Sequence, residues 1–380
     1  MTPGLIIGGG IAGLTAALAL RQRGIAAVAC EAAPRILPLG AGIWLAPNAL
    51  QVYERLGLAD KINAAGMPLD TIALVDGQQR PLLNADQARV RARYGHGTTA
   101  IRRAALQAIL LAEFGAENVR LGHVCAGFEE GTTDVTVRFT NGEQLRASFV
   151  VGADGLHSRV RGALFPGARP VRGDGYRVWR GVAPLPLAAP FRRAIREAWT
   201  GGLRFGFSEI EPGVVDWFAA VPTSFDPARA GLRARLRAAF AGFAAPVPAI
   251  LAATDEAGII HTEVARLPAL PRWHRGRVGL IGDAAHAGPP YLGQGGCQAV
   301  EDAYALALCL AQTPQDPARA FAALEKLRRG RARHVVRTAR LMGAVGYLAG
   351  PLGALRNAAF RAMPEWVSER QFAGVYGLKY

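Results

Sequence analysis

The sequence predicts an α/β protein with a Rossmann-like unit at its start and a β-rich stretch in its middle. Three observations carry that reading. A short apolar strand, Leu5 to Ile7, runs into three consecutive glycines and then a helix. Two later apolar strands each end in a carboxylate between small residues, at Asp154 and Asp283. The runs YRVWRGVAPL, LRFGFSEI and VVDWFAAVP, all within residues 167–264, are strand-like and rich in aromatic and β-branched residues.

The N-terminal unit is the most constrained. Gly8, Gly10 and Gly13 form GxGxxG across the strand-to-helix turn and enclose Ile11 and Ala12. The first glycine permits the tight turn, the second lets backbone approach a pyrophosphate, and the third lets helix and strand pack closely. The helix start offers free N–H groups and the positive end of its dipole to phosphate. A second strand, Ala26 to Cys30, ends at Glu31, placed to accept from a ribose hydroxyl. Strand, turn, helix, strand and acid together point to dinucleotide binding. They do not choose between a nicotinamide and a flavin.

Residues 97–115 read as a loop entering an amphipathic helix, with Ile101, Leu106, Ile109 and Leu110 near helical spacing. Taken alone, Arg102 or Arg103 at its start reads as a solvated side chain, the alternative being a contact with a phosphate or a flavin edge. VTVRF and ASFVVGADG follow as strands separated by the Asn141-Gly142 turn. In FVVGADGLHSRVRGALF a helix follows Asp154 and Gly155, and taken alone the aspartate reads as a helix cap. In IGDAAHAGPPYLGQGGCQAVEDA, residues 281–303, the strand ends at Asp283 and a proline- and glycine-rich loop leads into a helix. A helix is expected over 226–243, and Phe321, Leu324 and Leu327 keep helical spacing beyond Pro317.

At 380 residues and 51% hydrophobic content, the chain is long enough for about two domains and a large core. Its net charge of +15 comes almost wholly from arginine, since only Lys61, Lys326 and Lys379 are lysines. The arginines are scattered apart from one dense run, Lys326 to Arg340, and no nucleic-acid motif accompanies them, so no nucleic-acid partner is expected. Cys30, Cys125, Cys297 and Cys309 show no metal-binding or thioredoxin-like spacing, which predicts no metal site and a reducing, cytoplasmic setting. No uninterrupted apolar run reaches membrane-spanning length, so no stable membrane insertion is expected. The apolar tail YLAGPLGALRNAAFRAM, residues 347–363, reads first as packing against the body, with contact to a membrane or a lipophilic substrate as the alternative. Oligomeric state is left open.

Three motifs in this order, GGGIAG at 8–13, GADGLHSRVR at 152–161 and IGDAAHAGPPYLGQGGCQAVEDA at 281–303, resemble those of the FAD-dependent aromatic monooxygenases of the para-hydroxybenzoate hydroxylase type. The resemblance extends over PLGAGIWLAPNALQVYERLGL (38–58) and LEKLRRGRARHVVRTAR (324–340). GQGGCQAVEDA is most similar to the branch of urate hydroxylases and zeaxanthin epoxidases. The resemblance implies a discontinuous FAD domain, residues 1–166 and 265–316, and a substrate domain over 167–264, with about 71–96 as a candidate addition. A helical segment over 317–380 completes it.

It also implies site residues. Asp283 would hold the ribityl or ribose hydroxyls of FAD and Glu31 the adenosine ribose, with Gly42, Arg103, Gln107 and Val124 along the cofactor. Asp154 and Gly155 would take part in binding FAD and NADPH. Pro290, Gly293, Gln294, Gly295 and Gly296 would lie against the flavin ring, and His286 is read as structural. NADPH or NADH would reduce FAD, dioxygen would add to it, and a flavin hydroperoxide would pass oxygen to an electron-rich substrate in a site that excludes water. Arg204 is the expected positive charge that lowers the substrate's pKa, with Pro290 and Tyr291 completing the catalytic set. Tyr176, Trp179, Phe205, Phe207 and Trp217 join Arg204 as the expected substrate-binding set. The tyrosine that the urate branch carries further along is replaced near Asp216-Trp217, which argues against urate itself. Hydroxylation of a small aromatic or heteroaromatic molecule is the leading expectation. Epoxidation of an alkene on the same fold, and flavin sequestration without turnover, are the alternatives.

Overall fold

The computed structural model describes residues 2–36, 41–173, 175–228, 230–262, 264–364, 374–378 and 380. Residues 38–40 of the 38–58 stretch, and 365–373 and 379 of the C-terminal segment, lie outside the described residues.

The short apolar runs assemble a six-stranded sheet in the order His274–Arg275, Val278–Leu280, Val150–Gly152, Gly4–Ile7, Ala27–Cys30, Val119–Arg120. Every neighbouring pair is parallel except the first. Parallel strands are covered on both faces, so they read as unbroken apolar runs instead of alternating ones. Ile6 points to the layer made by helices Ile11–Gln22, Arg103–Phe114 and Gly295–Gln312. Leu5 and Ile7 point the other way, to the antiparallel strands Cys125–Glu130, Val135–Phe139 and Gln144–Ala147. Gly142, at φ +90°, turns the last two of these strands into a hairpin, but its return strand is Gln144–Ala147; the stretch ASFVVGADG, expected as the partner of VTVRF, instead gives Val150–Gly152 to the parallel sheet.

A second sheet has seven strands in the order Ile260–Thr262, Tyr176–Pro184, Val214–Pro222, Leu203–Glu211, Ala194–Thr200, Thr71–Asp76, Pro81–Asp86. Only Thr71–Asp76 and Ala194–Thr200 run parallel. Helices Leu232–Ala239 and Val247–Ala253 pack behind it. The first of these is shorter than the helix expected over 226–243, because Gly231, at φ +67°, sets its N-terminal boundary. A small sheet of Gly42–Leu45, Thr99–Arg102 and Met67–Pro68 ties the two layers together. Its middle strand stands where sequence periodicity predicts only a loop before the helix at 103, since pairing on both sides makes a strand of four residues that lack a helical stripe. Helices Pro317–Gly346 and Gly350–Arg361 form the C-terminal segment. Asp316 caps the first by accepting from the Arg319 N–H at 3.0 Å, and Pro317 occupies its first turn.

Candidate active site

The three glycine-bearing turns meet at the C-terminal ends of neighbouring strands. Ala153 N–H donates to Ile7 O at 2.8 Å and Ile281 N–H to Gly152 O at 3.0 Å, so each strand end is tied to the next. Open α/β sheets bind ligands at this edge.

The glycines of the first turn have three separate reasons to be glycine. Gly8 sits at φ +118°, and a Cβ there would stand 2.4 Å from Ala153 O in the second turn. A Cβ on Gly13 would stand 1.9 Å from Gly8 O. One on Gly10 would meet no atom within 4 Å. Gly10 therefore answers to no packing need of the protein, and its open side is where a pyrophosphate would pass. Ile11 and Ala12 begin the helix, whose N-terminus has no side-chain cap. A Cβ on Gly282 would lie 3.5 Å from the Ala12 Cβ, which sets the third turn against the first.

Glu31 accepts from Gly9 N–H at 2.7 Å and from Ala33 N–H at 2.9 Å, so both oxygens are fixed at the strand end. A carboxylate oxygen has a second lone pair to offer, which leaves capacity for a ribose hydroxyl. Gln107 Nε2 donates to Gly9 O at 2.9 Å, and Arg103, one turn earlier on the same helix, is exposed with its N–H on Ala41 O at 3.2 Å. Val124 is half-buried, and its carbonyl accepts from Thr140 N–H at 2.9 Å.

Asp154 caps its own loop. It accepts from Ser158 Oγ at 2.5 Å, Arg159 N–H at 2.8 Å and Val160 N–H at 3.1 Å, with Gly155 beside it at φ +76°. Asp283 differs from it in being exposed, at the start of the single turn Asp283–His286. Its Oδ1 lies 3.8 Å from where a Cβ on Gly295 would stand, beside the start of the helix Gly295–Gln312. That start has Gln294 as its cap residue and no side-chain cap bond, so its N–H groups face the carboxylate's surroundings. Pro290 opens a short 3-10 turn, and Gly293 closes it at φ +62°.

This loop rests on a buried polar network. Asp302 Oδ2 accepts from Gly282 N–H at 2.9 Å and faces His286 Nε2 at 2.5 Å. Its Oδ1 takes Arg328 Nε at 2.7 Å, and Arg328 also pairs with Glu301. Arg328, Glu301 and Asp302 are all buried. Burial would raise the Asp302 carboxyl, but the charges of His286 and Arg328 outweigh it and hold it at about 2. His286 is thus tied to the buried network through Asp302. Arg161, also buried, reaches Ala284 O at 3.1 Å and joins the second and third turns.

The seven-stranded sheet supplies the opposite wall. Its register pairs Arg204 with Trp199 and Ala220, Phe218 with Gly206 and Arg180, and Asp216 with Ser208, all on one face. Arg204 is 1% exposed, and its Nε donates to Glu197 Oε1 at 2.6 Å. Its guanidinium lies over Tyr291 at 4.7 Å, Trp199 at 4.9 Å and Tyr347 at 5.4 Å. Its Nη1 is buried and has no hydrogen-bond partner among the described residues. Tyr176 stacks on Tyr347 at 3.2 Å, so it belongs to this face.

Trp179, Phe205, Phe207 and Trp217 do not join it. Strand alternation turns them to the other face, where they pack with Leu232, Leu236 and Phe240 behind the sheet. The structure places them as core, with Phe205 stacked on Trp217 at 5.5 Å. Sequence reading missed Trp44, Ser208, Phe218, Trp199, Glu197 and Tyr347. Trp44 Nε1 donates to Ser208 Oγ at 2.8 Å, its ring lies 6.1 Å from Phe218, and its edge is 3.5 Å from where a Cβ on Gly293 would stand. Ser208 and Phe218 could have been found by counting in twos from Arg204 and Asp216.

Gly42 bridges the two sheets. Its N–H donates to Asp216 Oδ1 at 2.7 Å, its carbonyl accepts from Arg180 at 2.8 Å, and a Cβ would stand 2.9 Å from Asp216 Cγ. Burial pushes the Asp216 carboxyl up, partly countered by Arg180 and Gly42. Cys297 lies beneath the helix start, its thiol pushed up to about 12 by burial, so it is no nucleophile.

These features fit FAD: an open side at Gly10, a fixed carboxylate at Glu31, an exposed one at Asp283, and a bare helix start at Gly295. Comparison with known proteins agrees. A family model described as FAD binding domain matches residues 1–199 and 248–339. The chain is 36% identical to the aurachin C monooxygenase/isomerase of Stigmatella aurantiaca, over 96% of this chain and 92% of that one. It is 36% identical to the 3-amino-4-hydroxybenzoate 2-monooxygenase of Streptomyces cremeus, over 88% and 85%. It is 35% identical to an FAD-dependent urate hydroxylase of Klebsiella pneumoniae, over 88% of each chain. Among solved structures, Klebsiella pneumoniae HpxO complexed with FAD and uric acid superposes with a TM-score of 0.88 at 32% identity, over 98% of this chain and 96% of that one. The chain belongs to this FAD-binding family and is a group A FAD-dependent monooxygenase, with a discontinuous FAD domain, an inserted β-rich substrate domain and a helical C-terminal segment.

Proposed function

We propose that the chain hydroxylates a small, electron-rich aromatic or heteroaromatic molecule held between the Arg204 face of the sheet and the Pro290–Gly296 turn. The observation that carries this is Arg204 itself. It is a buried cation braced by Glu197 and three aromatic rings, and its Nη1 donor is still unspent. An unpaired buried donor is costly, and an anionic ring oxygen or nitrogen would satisfy it. That contact would favour the deprotonated, more electron-rich form of the ring. Bound FAD would take two electrons from NADPH or NADH, pass them to dioxygen and deliver one oxygen atom to the substrate.

The protein's part is placement and exclusion of water. Trp44 and Phe218 form an apolar wall beside the Gly293 turn. Tyr291 keeps the turn and Arg204 in register, while Pro290 limits the loop's freedom. Asp283 and Glu31 would hold the hydroxyls of the cofactor's ribityl and ribose groups. Asp216, committed to Gly42 and Arg180, offers no phenolic hydroxyl, which supports a substrate other than urate. Four buried free cysteines support a reducing, cytoplasmic setting.

The test is turnover of the FAD-loaded protein on phenols, quinolones and purines under isotopically heavy dioxygen. One heavy oxygen atom in an aromatic product supports the reading. A product whose oxygen comes from water, or heavy oxygen found only across an alkene, contradicts it.

A further inference from the structure

Two arginines lie on the Trp199 ring, Arg204 at 4.9 Å and Arg356 at 5.2 Å, and both are buried. They come from different parts of the chain: Arg204 from the seven-stranded sheet, Arg356 from the helix Gly350–Arg361. That helix is fastened to the sheet at its far end. Phe360 lies 6.0 Å from Trp199, and Arg361 pairs with Asp76 at 2.8 Å. The two guanidiniums feel each other: burial first, and then the Arg204 charge, push Arg356 below its ordinary value. Each has to be braced, and the two are braced differently.

Arg204 sets Nε and Nη2 on one oxygen, Glu197 Oε1, at 2.6 and 2.5 Å, and Nη1 is left over. Arg356 leaves nothing over. Its Nε and Nη2 donate to Asn357 Oδ1 at 3.0 and 2.8 Å. Its Nη1 donates among three carbonyls, Val345 O at 3.0 Å, Gly346 O at 2.9 Å and Leu348 O at 3.1 Å. These belong to the end of the helix Pro317–Gly346 and the residues just past it, and the last carbonyls of an α-helix have no partner inside it. The same helix end is pressed onto Arg204. A Cβ on Gly346 would stand 3.2 Å from Arg204 Nη1 and 3.3 Å from Trp199, and one on Gly343 would stand 2.4 Å from Tyr291. The two glycines let the helix end come this close. The unspent donor of Arg204 therefore sits beside a helix end whose orphan acceptors Arg356 has taken.

We propose, on the substrate reading of Arg204 given above, that Arg356 is a positioning residue for it. By holding the carbonyls of Val345, Gly346 and Leu348, Arg356 keeps the Nη1 donor of Arg204 free for the anionic atom of the substrate. Without Arg356, a buried donor and buried acceptors would stand unpaired side by side. Joining them costs less than leaving them so, and Nη1 would turn onto the helix end. The same contact offsets the negative end of the helix dipole, which would otherwise repel an anion arriving at Nη1. A plain helix cap would do neither of these things to Arg204, and that separates the two roles.

The test compares the FAD-loaded parent with Arg356→Met, Arg356→Lys and Asn357→Ala. In a crystal structure of Arg356→Met, Arg204 Nη1 should lie within hydrogen-bond distance of the Val345 or Gly346 carbonyl. Arg356→Lys, whose ammonium offers its donors to the same carbonyls, should leave Nη1 unpaired. With any phenol or purine that accelerates NADPH consumption by the parent, Arg356→Met should raise KM by about tenfold or more and change kcat by less than about threefold. FAD content should match the parent, and Arg356→Lys should bring KM back to within about threefold of it. Asn357→Ala frees the Arg356 guanidinium without deleting it, so it is the milder variant should Arg356→Met fail to fold, and it should move KM the same way. Nη1 still unpaired in Arg356→Met, or KM unchanged in the folded variants, would overturn the proposal and leave Arg356 a helix cap only. If no compound accelerates the parent, the substrate reading fails by itself, and the position of Nη1 in the variant still decides what Arg356 does.

Discussion

Gly10 and Gly13 lie three residues apart in one turn, yet the same substitution should do different things to them. Gly10→Ala adds a methyl where no atom lies within 4 Å, so the fold should keep its melting temperature while FAD affinity falls by about tenfold or more. Gly13→Ala drives a methyl to 1.9 Å from Gly8 O, and should cost about 2 kcal/mol or more of stability before any cofactor is considered. FAD titration beside thermal unfolding separates the two. Arg204→Met should leave FAD binding intact and lower kcat/KM by about 10²-fold, with oxygen diverted to peroxide. Arg204→Lys should not restore it, because an ammonium cannot keep the planar contact with Tyr291 and Trp199 while bonding Glu197. A variant that keeps full coupling would remove Arg204 from the site.

Strand alternation decides what each aromatic residue of the second sheet does. Phe205→Ala should destabilise by about 3–5 kcal/mol, because it empties a position stacked on Trp217 and edged by Phe240, and should leave the KM of the surviving enzyme near its parent value. Phe218→Ala, on the opposite face and half-buried against Trp44, should cost less stability and raise KM. Denaturant unfolding and steady-state kinetics on both variants check the split.

The same alternation shows where sequence reading stops. The strands at 176–184, 203–211 and 214–222 are legible from their residue types, and Arg204 and Tyr176 both meet Tyr347 on one face. Which face each aromatic takes depends on where the two helices 232–239 and 247–253 pack, and no single strand records that. Trp44 was unreadable for a related reason: its partners Ser208 and Phe218 lie more than 160 residues away in sequence. The three glycine turns were legible because each needs a backbone that only glycine permits, and that need is local. Asp154 carried two readings, and the structure shows its capping bonds in full.

At the scale of the molecule, one buried ion network joins the cofactor loop to the C-terminal helix, through Asp302, His286, Glu301 and Arg328. Asp302 is held at about 2, so its contribution is present above the unfolded value of about 4 and fades as pH falls toward 2. Urea unfolding should therefore show about 2 kcal/mol of stability lost across that window. Asp302→Asn should be less stable at neutral pH and flatter below pH about 4. A parent protein with the same stability at both ends of the window would contradict the network's role.

The central claim is that one molecule binds FAD at three converging turns and couples it to oxygen transfer at the Arg204 face. The most direct measurement is NADPH consumption by the FAD-loaded protein across a panel of electron-rich aromatic compounds, with peroxide quantified in the same samples. The account predicts at least one compound that speeds consumption while peroxide stays low and a hydroxylated product accumulates in step. Consumption that no compound accelerates, or that always ends as peroxide, would contradict it.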